Sequence, residues 1–356
     1  MKKIVLAIFA ACSINIAQAQ EANTQSTSWF KENKVFQNLD VSVTAGTTGI
    51  GIDVASKIGD YVQLRAGYEF MPRFNTSILF PVEVGGEPAE LYDEFGNRIE
   101  SRFDRLSKVL TEVTGFQVAD KVDMLGKPTV NNFKFLVDVF PFKQNKHWHV
   151  TAGFYWGPSQ FAYAENSTQA MTSLVAVGLY NSMYYHAIND LPIYEGATVI
   201  TEKMRDKFIS YGRMGFPIGE FTRDIYGYYS QDVYDDYGDI IHHAGDYGLL
   251  YSKGEIFNLE PDVDGMVKVR AKANSFKPYL GFGYGGRLLK NRDDWKVSFD
   301  AGAMFWGGTP DLYTHDGINL TKDVTNVTGK VGDWVDFIGG LKVYPVLSVR
   351  FTKTIF

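Results

Sequence analysis

The chain has 356 residues, a formal net charge of −6, 45% hydrophobic content and 21% charged residues, enough for one large domain or two average ones. With 15% aromatics it is not a disordered chain, which needs few aromatics and dense charge. A mean hydropathy of −0.15 excludes a multi-helix membrane protein, and a pI near 5.6 argues against nucleic acid as a partner.

At the start, Lys2 and Lys3 form a basic n-region, Ile4 to Ala11 an apolar core and Ala17-Gln18-Ala19 an A-x-A cleavage site. Residues 1–19 therefore read as a secretory signal peptide. The residues ahead of Cys12, Phe9-Ala10-Ala11, make a poor lipobox. Cleavage before Gln20 removes the single cysteine and two lysines, taking the charge from −6 to −8. No thiol is then left for disulfide, metal or nucleophilic chemistry. Residues 20–38 follow as a periplasmic N-terminal tail, with a barrel expected over 39–356.

The 35 Gly, 26 Phe and 21 Tyr suit a membrane β-barrel, in which lipid-facing and lumen-facing residues alternate. Leu39, Val41, Val43 and Ala45 share one phase and Ile50, Ile52 and Val54 the other, switching at Gly46-Thr-Thr-Gly49, a tight outer turn. In 61–70, Val62, Leu64, Ala66, Tyr68 and Phe70 oppose Gln63, Arg65 and Glu69. In 132–140, Phe133, Phe135, Val137 and Val139 oppose Asn132, Lys134 and Asp138. In 147–156, Trp148, Val150, Ala152, Phe154 and Trp156 oppose His147, His149 and Thr151. In 266–274, Val267, Val269, Ala271 and Ala273 oppose Lys268, Arg270 and Lys272, and in 295–305 Trp295, Val297, Phe299 and Ala301 oppose Lys296, Ser298 and Asp300. Aromatics gather at the ends of the apolar stripes, as in the girdles at two membrane interfaces.

Short turns at Gly59-Asp60 and 142–146 mark one end of the barrel, and the long connections 75–129, 158–263 and 308–340 the extracellular end. Splitting 264–287 at its phase switch near Phe276-Lys-Pro278 would strand the C-terminus outside, so it is read as one long bulged strand. An all-β, antiparallel transmembrane barrel of eight strands results, with ten or more as the other option. Residues 102–115, 167–189 and 198–211 are expected as loop helices, the second uncharged but too polar to span a membrane. The last strand ends on Phe356, like the signal by which barrels are recognised for outer-membrane insertion. Phe356 is out of phase with Val343, Leu347, Val349 and Phe351, which implies a bulge or frayed end near Lys353.

The segments Phe276-Lys-Pro-Tyr-Leu-Gly-Phe-Gly-Tyr-Gly285, Phe299-Asp-Ala-Gly-Ala-Met-Phe305 and Tyr344-Pro-Val-Leu-Ser348 go beyond generic alternation. With Gly46-Thr-Thr-Gly-Ile-Gly51, Leu64-Arg-Ala-Gly67 and Leu136-Val-Asp-Val-Phe-Pro-Phe142, they resemble a family of uncharacterised, porin-like outer-membrane β-barrels of Bacteroidota type, with distant counterparts in Proteobacteria. The resemblance covers the strands and not the loops. It implies a multi-pass barrel in the outer membrane of a Gram-negative cell, surrounded by outer-membrane lipid and inserted by the barrel-assembly machinery. It carries over no catalytic residue.

Three patterns invite sharper readings. Gly281-Phe-Gly-Tyr-Gly-Gly286 matches a dinucleotide fingerprint but lies inside a strand with no helix after it, so its glycines are expected to leave room in a crowded lumen. Glu260-Pro-Asp-Val-Asp-Gly265 opens like a calcium loop, yet Ala271 stands where a bidentate Glu is needed. Segment 224–248 holds six Asp, six Tyr and the pair His242-His243. Adjacent His on a strand point opposite ways, which argues against a metal site. Either the loop is self-packed with a hydrated rim, or Tyr226, Tyr228, Tyr229, Tyr234, Asp235, Asp236 and Tyr237 form a recognition surface for a glycan or protein partner.

On the lumen side, Arg65, Lys134, Lys268, Arg270, Lys272, Lys296 and Arg350 are set against Glu69, Asp138 and Asp300. An eight-stranded barrel is just wide enough for side chains to fill, so these are expected to pair as a polar plug. His147 and His149 have no assignable serine or carboxylate partner, so no enzyme, cofactor or metal is expected. The leading function is an outer-membrane barrel that presents a folded extracellular cap for surface binding. A narrow anion-preferring channel and a lipid-modifying membrane enzyme are the rivals.

Overall fold

The structure, a computed structural model, describes residues 36–356 except 37, 116, 143, 196, 197, 200, 201, 231, 235–238, 263 and 328. The expected signal peptide and nearly all of the expected tail lie outside the described residues.

Eight strands close into an antiparallel barrel: β1 (Asp40–Gly46), β2 (Gly49–Ile58), β3 (Val62–Phe70), β4 (Asn131–Val139), β5 (Trp148–Trp156), β6 (Phe276–Leu289), β7 (Arg292–Phe305) and β8 (Val343–Thr354). Each pairs with its chain neighbour, and β8 returns to β1, with Gly46 opposite Ser348 and Asp40 opposite Thr354. Alternation sorts the faces. On β4, Asn132, Lys134, Leu136 and Asp138 are buried inward while Phe133, Phe135 and Val139 are exposed outward. The outward belt of Ile52, Val54, Val150, Leu280, Phe282, Phe299 and Leu347 is exposed. Phe70, Trp156, Phe276 and Phe305 ring one end, and Tyr61, Phe142, Trp148 and Tyr284 the other. An apolar belt between two aromatic girdles is the outer surface of a membrane-spanning barrel.

Of two irregularities expected in the strands, one is found and one needs correction. The β1–β8 pairing runs through Thr354 without a register shift, and Leu39 N–H donates to Phe356 O at 3.1 Å while Ile355 N–H donates to Leu39 O at 2.8 Å. Ile355 and Phe356 thus share Leu39 as partner, so the irregularity expected near Lys353 sits just beyond it, at the strand's end, and takes Phe356 out of phase. The stretch 264–287 is not one strand. Residues Lys268–Lys272 pair with Gln160–Glu165 and Asp311–Thr314, above the barrel, and β6 begins afresh at Phe276.

Above the loop-end girdle the wall continues on one side. Strands Thr76–Pro81, Lys121–Pro128, Gln160–Asn166, Lys268–Lys272 and Asp311–Thr314 form a five-stranded sheet. They follow or precede β3, β4, β5, β6 and β7 in the chain and keep their order, so the sheet prolongs that part of the wall. β1 and β2 stop at the Thr47-Thr48 turn, where the Tyr344 hydroxyl donates to Thr47 O at 2.7 Å.

Among the described residues, four helices complete the cap: α1 (Arg102–Thr114), α2 (Thr168–Ile188), α3 (Glu202–Tyr211) and α4 (Gly329–Gly340). The first two fall where expected; α3 starts later than the expected 198, because Thr198–Val199 pairs as a strand with Tyr194–Glu195, and α4 was not foreseen. Ser101 and Asp104 cap α1 reciprocally, and Gly115 ends it at φ 75°. α2 can be uncharged because it is a core helix: Leu174 and Tyr180 are fully buried. Its polar side chains fasten neighbours, Asn181 Nδ2 donating to Met214 O at 2.7 Å and the Tyr180 hydroxyl to Gly212 O at 2.7 Å. No helix among the described residues is long and apolar enough to cross a membrane.

Candidate functional site

The barrel lumen is filled by a charged network and an apolar cluster that overlap along the strands. In the charged network, Arg65 Nη2 donates to Asp138 Oδ1 at 2.8 Å and Arg65 Nη1 lies 3.5 Å from Asp300. Arg350 reaches the same two carboxylates at 3.5 and 3.4 Å. The Thr151 hydroxyl donates to Asp138 at 2.7 Å, and His149 Nε2 lies 2.6 Å from Asp300 Oδ1. Lys134 bridges Asp53, at 2.9 Å, and Glu69. All of these side chains are nearly inaccessible to solvent, where charges persist only when paired. Toward the loop end an apolar cluster of Leu136, Tyr155, Tyr279, Met304, Trp306 and Val346 packs beside the Lys134–Glu69 pair. Tyr155 meets Tyr279 edge-on at 5.4 Å, and Trp306 stacks on Tyr344 at 5.2 Å. Gly281 and Gly302 make space for this plug, since a Cβ on either would sit 2.3 or 2.4 Å from the Tyr279 hydroxyl.

Arg65, Glu69, Lys134, Asp138 and Asp300 thus converge. Lys296 lies lower, at the turn end, donating to the Thr354 hydroxyl at 3.1 Å and facing Asp40 at 3.8 Å. Lys268, Arg270 and Lys272 are not in the lumen. Their strand belongs to the cap sheet, where Lys268 pairs with Asp262 at 3.3 Å and Lys272 lies over the Tyr313 ring at 4.9 Å. The apolar partners Val267, Val269 and Ala271 face the cap interior rather than lipid. Asp53, absent from the expected network, sits among the small residues Gly51 and Ala55 on β2; its signal was a lone charge opposite the Ile50, Ile52, Val54 stripe. Below the charged network, a vestibule of about 220 Å³ opens at the turn end between Lys57, Lys146, His147, Lys296, Arg350 and Asp40.

The 224–248 segment forms two small hairpins. Ile225–Tyr228 pairs with Tyr247–Tyr251, and Val233–Tyr234 with Ile240–His242. Tyr226 and Tyr228 are 58% and 72% exposed. Tyr229 is engaged, stacking on His242 at 4.6 Å and donating to Leu249 O at 2.7 Å, and Tyr234 is half-buried. Asp235, Asp236 and Tyr237 lie outside the described residues. His243 faces Asp232 at 3.5 Å, and no group of three metal-ligating side chains occurs among the described residues. The calcium-like turn is closed on itself: Asp262 Oδ1 accepts from the backbone N–H of Asp264 and Met266 at 3.0 and 2.8 Å.

The cap also encloses a feature with no single-segment signature. A cavity of about 310 Å³ lies between the cap sheet, the strand Met214–Phe221 and α4. Ile78, Phe80, Val122, Met124, Ala164, Ile218, Val269, Leu312, Val331 and Val335 are among its lining residues, and the lining is almost wholly apolar. Lys127 is the cation on its rim, already paired with Glu165 and lying over the Tyr163 ring at 5.4 Å. The Glu165 hydrogen bond raises the Lys127 pKa above the ordinary lysine value. Phe74 and Trp334, at 53% and 40% exposure, flank the side where the cavity opens. Its size and lining match those of small-molecule sites, which are concave, largely apolar and start near 300 Å³.

No protein-family model matches the chain, and no curated protein matches it. Among solved structures, those of Acinetobacter baumannii CarO2 and CarO align over 89% of this chain and over 98% and 97% of theirs, at 15% and 13% identity and a TM-score of 0.34 each. The barrel is established by its own closed strand pairing.

Proposed function

We propose that the protein is an outer-membrane β-barrel, of the Bacteroidota type its strand motifs resemble, that works as a surface-binding module through its cap. The observation that carries this reading is the closed lumen under a folded cap: the Arg65–Asp138–Arg350–Asp300 layer and the Tyr155–Tyr279 plug fill the path that a channel would need. The exposed Tyr226 and Tyr228 rings support contact with a glycan or protein, because Tyr gives large contact area at small entropy cost. The test pairs bilayer recordings of the purified protein with protease shaving of whole cells. A silent bilayer and cleavage within 224–248 are expected. Steady conductance, or a cap inaccessible from outside, would overturn the reading. A second reading, a narrow anion channel, is favoured by the basic vestibule at the turn end; the same recordings decide it, since anion-selective current requires the charged network to open.

A further inference from the structure

We propose that the apolar cavity of the cap is a binding site for a single acyl chain of an amphiphile, entering from the membrane side with its polar head left outside. This deepens the surface-binding reading and rests on it.

The lining decides the chemistry. Cavities that bind polar molecules carry a few convergent polar groups that fix orientation. Here the walls are aliphatic and aromatic, and the rim cation, Lys127, is occupied by Glu165. A ligand would find no free charged partner inside, so it must be an apolar chain whose head needs none. Buried apolar surface alone then supplies the attraction.

The position decides the route. Phe74, on the open side, follows Phe70 of the girdle by four residues, so at most about 14 Å of chain separates it from the lipid boundary. On the opposite side, Ile338 of α4 precedes Val343 of β8 by five residues, at most about 18 Å. Trp334 and Phe337 project from α4 at this level, exposed and packed edge-on at 5.9 Å, as aromatics at a headgroup layer do. The mouth between Phe74 and Trp334 is therefore within reach of an acyl tail.

The third observation is the wall that α4 makes. Among the described residues, no side-chain hydrogen bond or ion pair ties α4 to the rest of the cap; Val331, Val335 and Ile338 hold it by apolar contact alone. Its sequence, with Gly329, Gly332, Gly339 and Gly340, makes a weak helix that depends on what it packs against. An acyl chain in the cavity would supply the missing packing partner, and a wall so lightly held lets one in.

The experiment uses the whole protein in phospholipid nanodiscs, because detergent would itself compete. In one arm, palmitic acid carrying a diazirine is added from water; in the other, a phospholipid carrying the diazirine on one chain is built into the disc. Adducts are mapped after illumination by peptide mass spectrometry. Labelling of cavity residues such as Ile78, Met124 and Val335 is expected, in addition to the belt residues Leu280 and Phe282. Ala164→Trp, which fills the cavity, should remove the first set and spare the second. Gly126→Leu is an independent filling variant, as a Cβ there meets only Thr76 O at 3.6 Å and an Ile78 methyl at 3.9 Å. Labelling from the lipid arm alone identifies the outer leaflet as source, and labelling from the aqueous arm alone a free amphiphile; either supports the site. Belt labelling without cavity labelling in the wild-type protein, in both arms, overturns it. Planar-bilayer recordings on the same purified protein separate the two proposals: a silent bilayer with an unlabelled cavity removes only the acyl chain, whereas conductance removes the binding-module reading itself.

Discussion

His149 on β5 and Asp300 on β7 lie 2.6 Å apart although β6 runs between their strands. Gly283 of β6 is the register partner of both, and it is the absent side chain there that lets them meet. A Cβ on Gly283 would stand 2.4 Å from the His149 ring and from Asp300 Oδ1. Gly283→Val should therefore part the pair and destabilise the barrel by about 1–3 kcal/mol, the usual cost of overpacking. Urea unfolding in vesicles reads this; an unchanged midpoint would mean that the lumen has slack the geometry does not show.

Arg65 serves three carboxylates, Asp138, Asp300 and Asp53, from one buried position. Arg65→Ala leaves them short of positive charge without solvent to compensate, a change that costs about 3–5 kcal/mol in buried pairs. The same unfolding assay should show a loss of that order. A loss below about 1 kcal/mol, the range of exposed pairs, would indicate a hydrated lumen and revive the channel reading.

Ala152→Arg and Val269→Arg separate the two apolar environments. Ala152 is exposed at the middle of β5, where an arginine facing lipid costs about 2–4 kcal/mol, so insertion should suffer. Val269 lines the cap cavity, so its arginine should leave insertion and heat-modifiable gel migration intact and make the cap sensitive to protease.

Acid should loosen the cap before the barrel. Burial alone would raise the Asp262 pKa, but the N–H of Met266 and Asp264 and the Lys268 ammonium outweigh it and hold the carboxyl below its ordinary 3.8. Asp311 is lowered in the same way, burial being outweighed by Lys322 and Asn319. A depressed folded pKa gives stability that is present above the unfolded value and is lost as pH falls through the folded one. Hydrogen exchange, corrected for intrinsic rates, should show 262–272 and 311–322 losing protection as pH drops below about 4, with β3 to β5 unaffected. Constant cap protection down to pH 2 would show that these two carboxylates do not contribute.

Gly339→Ala tests how weakly α4 is built. The nearest neighbour of a Cβ there is a Thr309 methyl at 3.9 Å, so alanine fits and should add about 0.5–1 kcal/mol of helix stability. Slower exchange of the 331–340 amides is the expected readout, and no change would mean that packing already fixes the helix.

What could be read in advance was governed by period. Alternation on β3, β4, β5 and β7 placed Arg65, Glu69, Lys134, Asp138 and Asp300 on one side because strand faces alternate by geometry. The same alternation misled at 268–272. A cap strand with one face on an apolar interior and one in solvent repeats with the same period as a lipid-facing strand, so Val269 and Lys268 carried no mark of which they were. α4 escaped notice because its glycines erase helix propensity, and its existence depends on the cap sheet. The cavity was illegible for a plainer reason: residues as far apart as Phe74 and Ile338 line it together, and no local pattern announces such a meeting.

The junction of α4 with β8 has a mechanical consequence. Only Leu341 and Lys342 lie between the helix and the strand, and β8 is the strand that closes the barrel against β1, across a seam joining residues 310 positions apart in the pair Ser42 and Thr352. Two residues give little slack, so an outward swing of the helix pulls on the closing strand near Thr47 and Tyr344, where a 2.7 Å hydrogen bond clasps the rim. Whatever occupies the cap is thereby mechanically linked to the barrel's own latch.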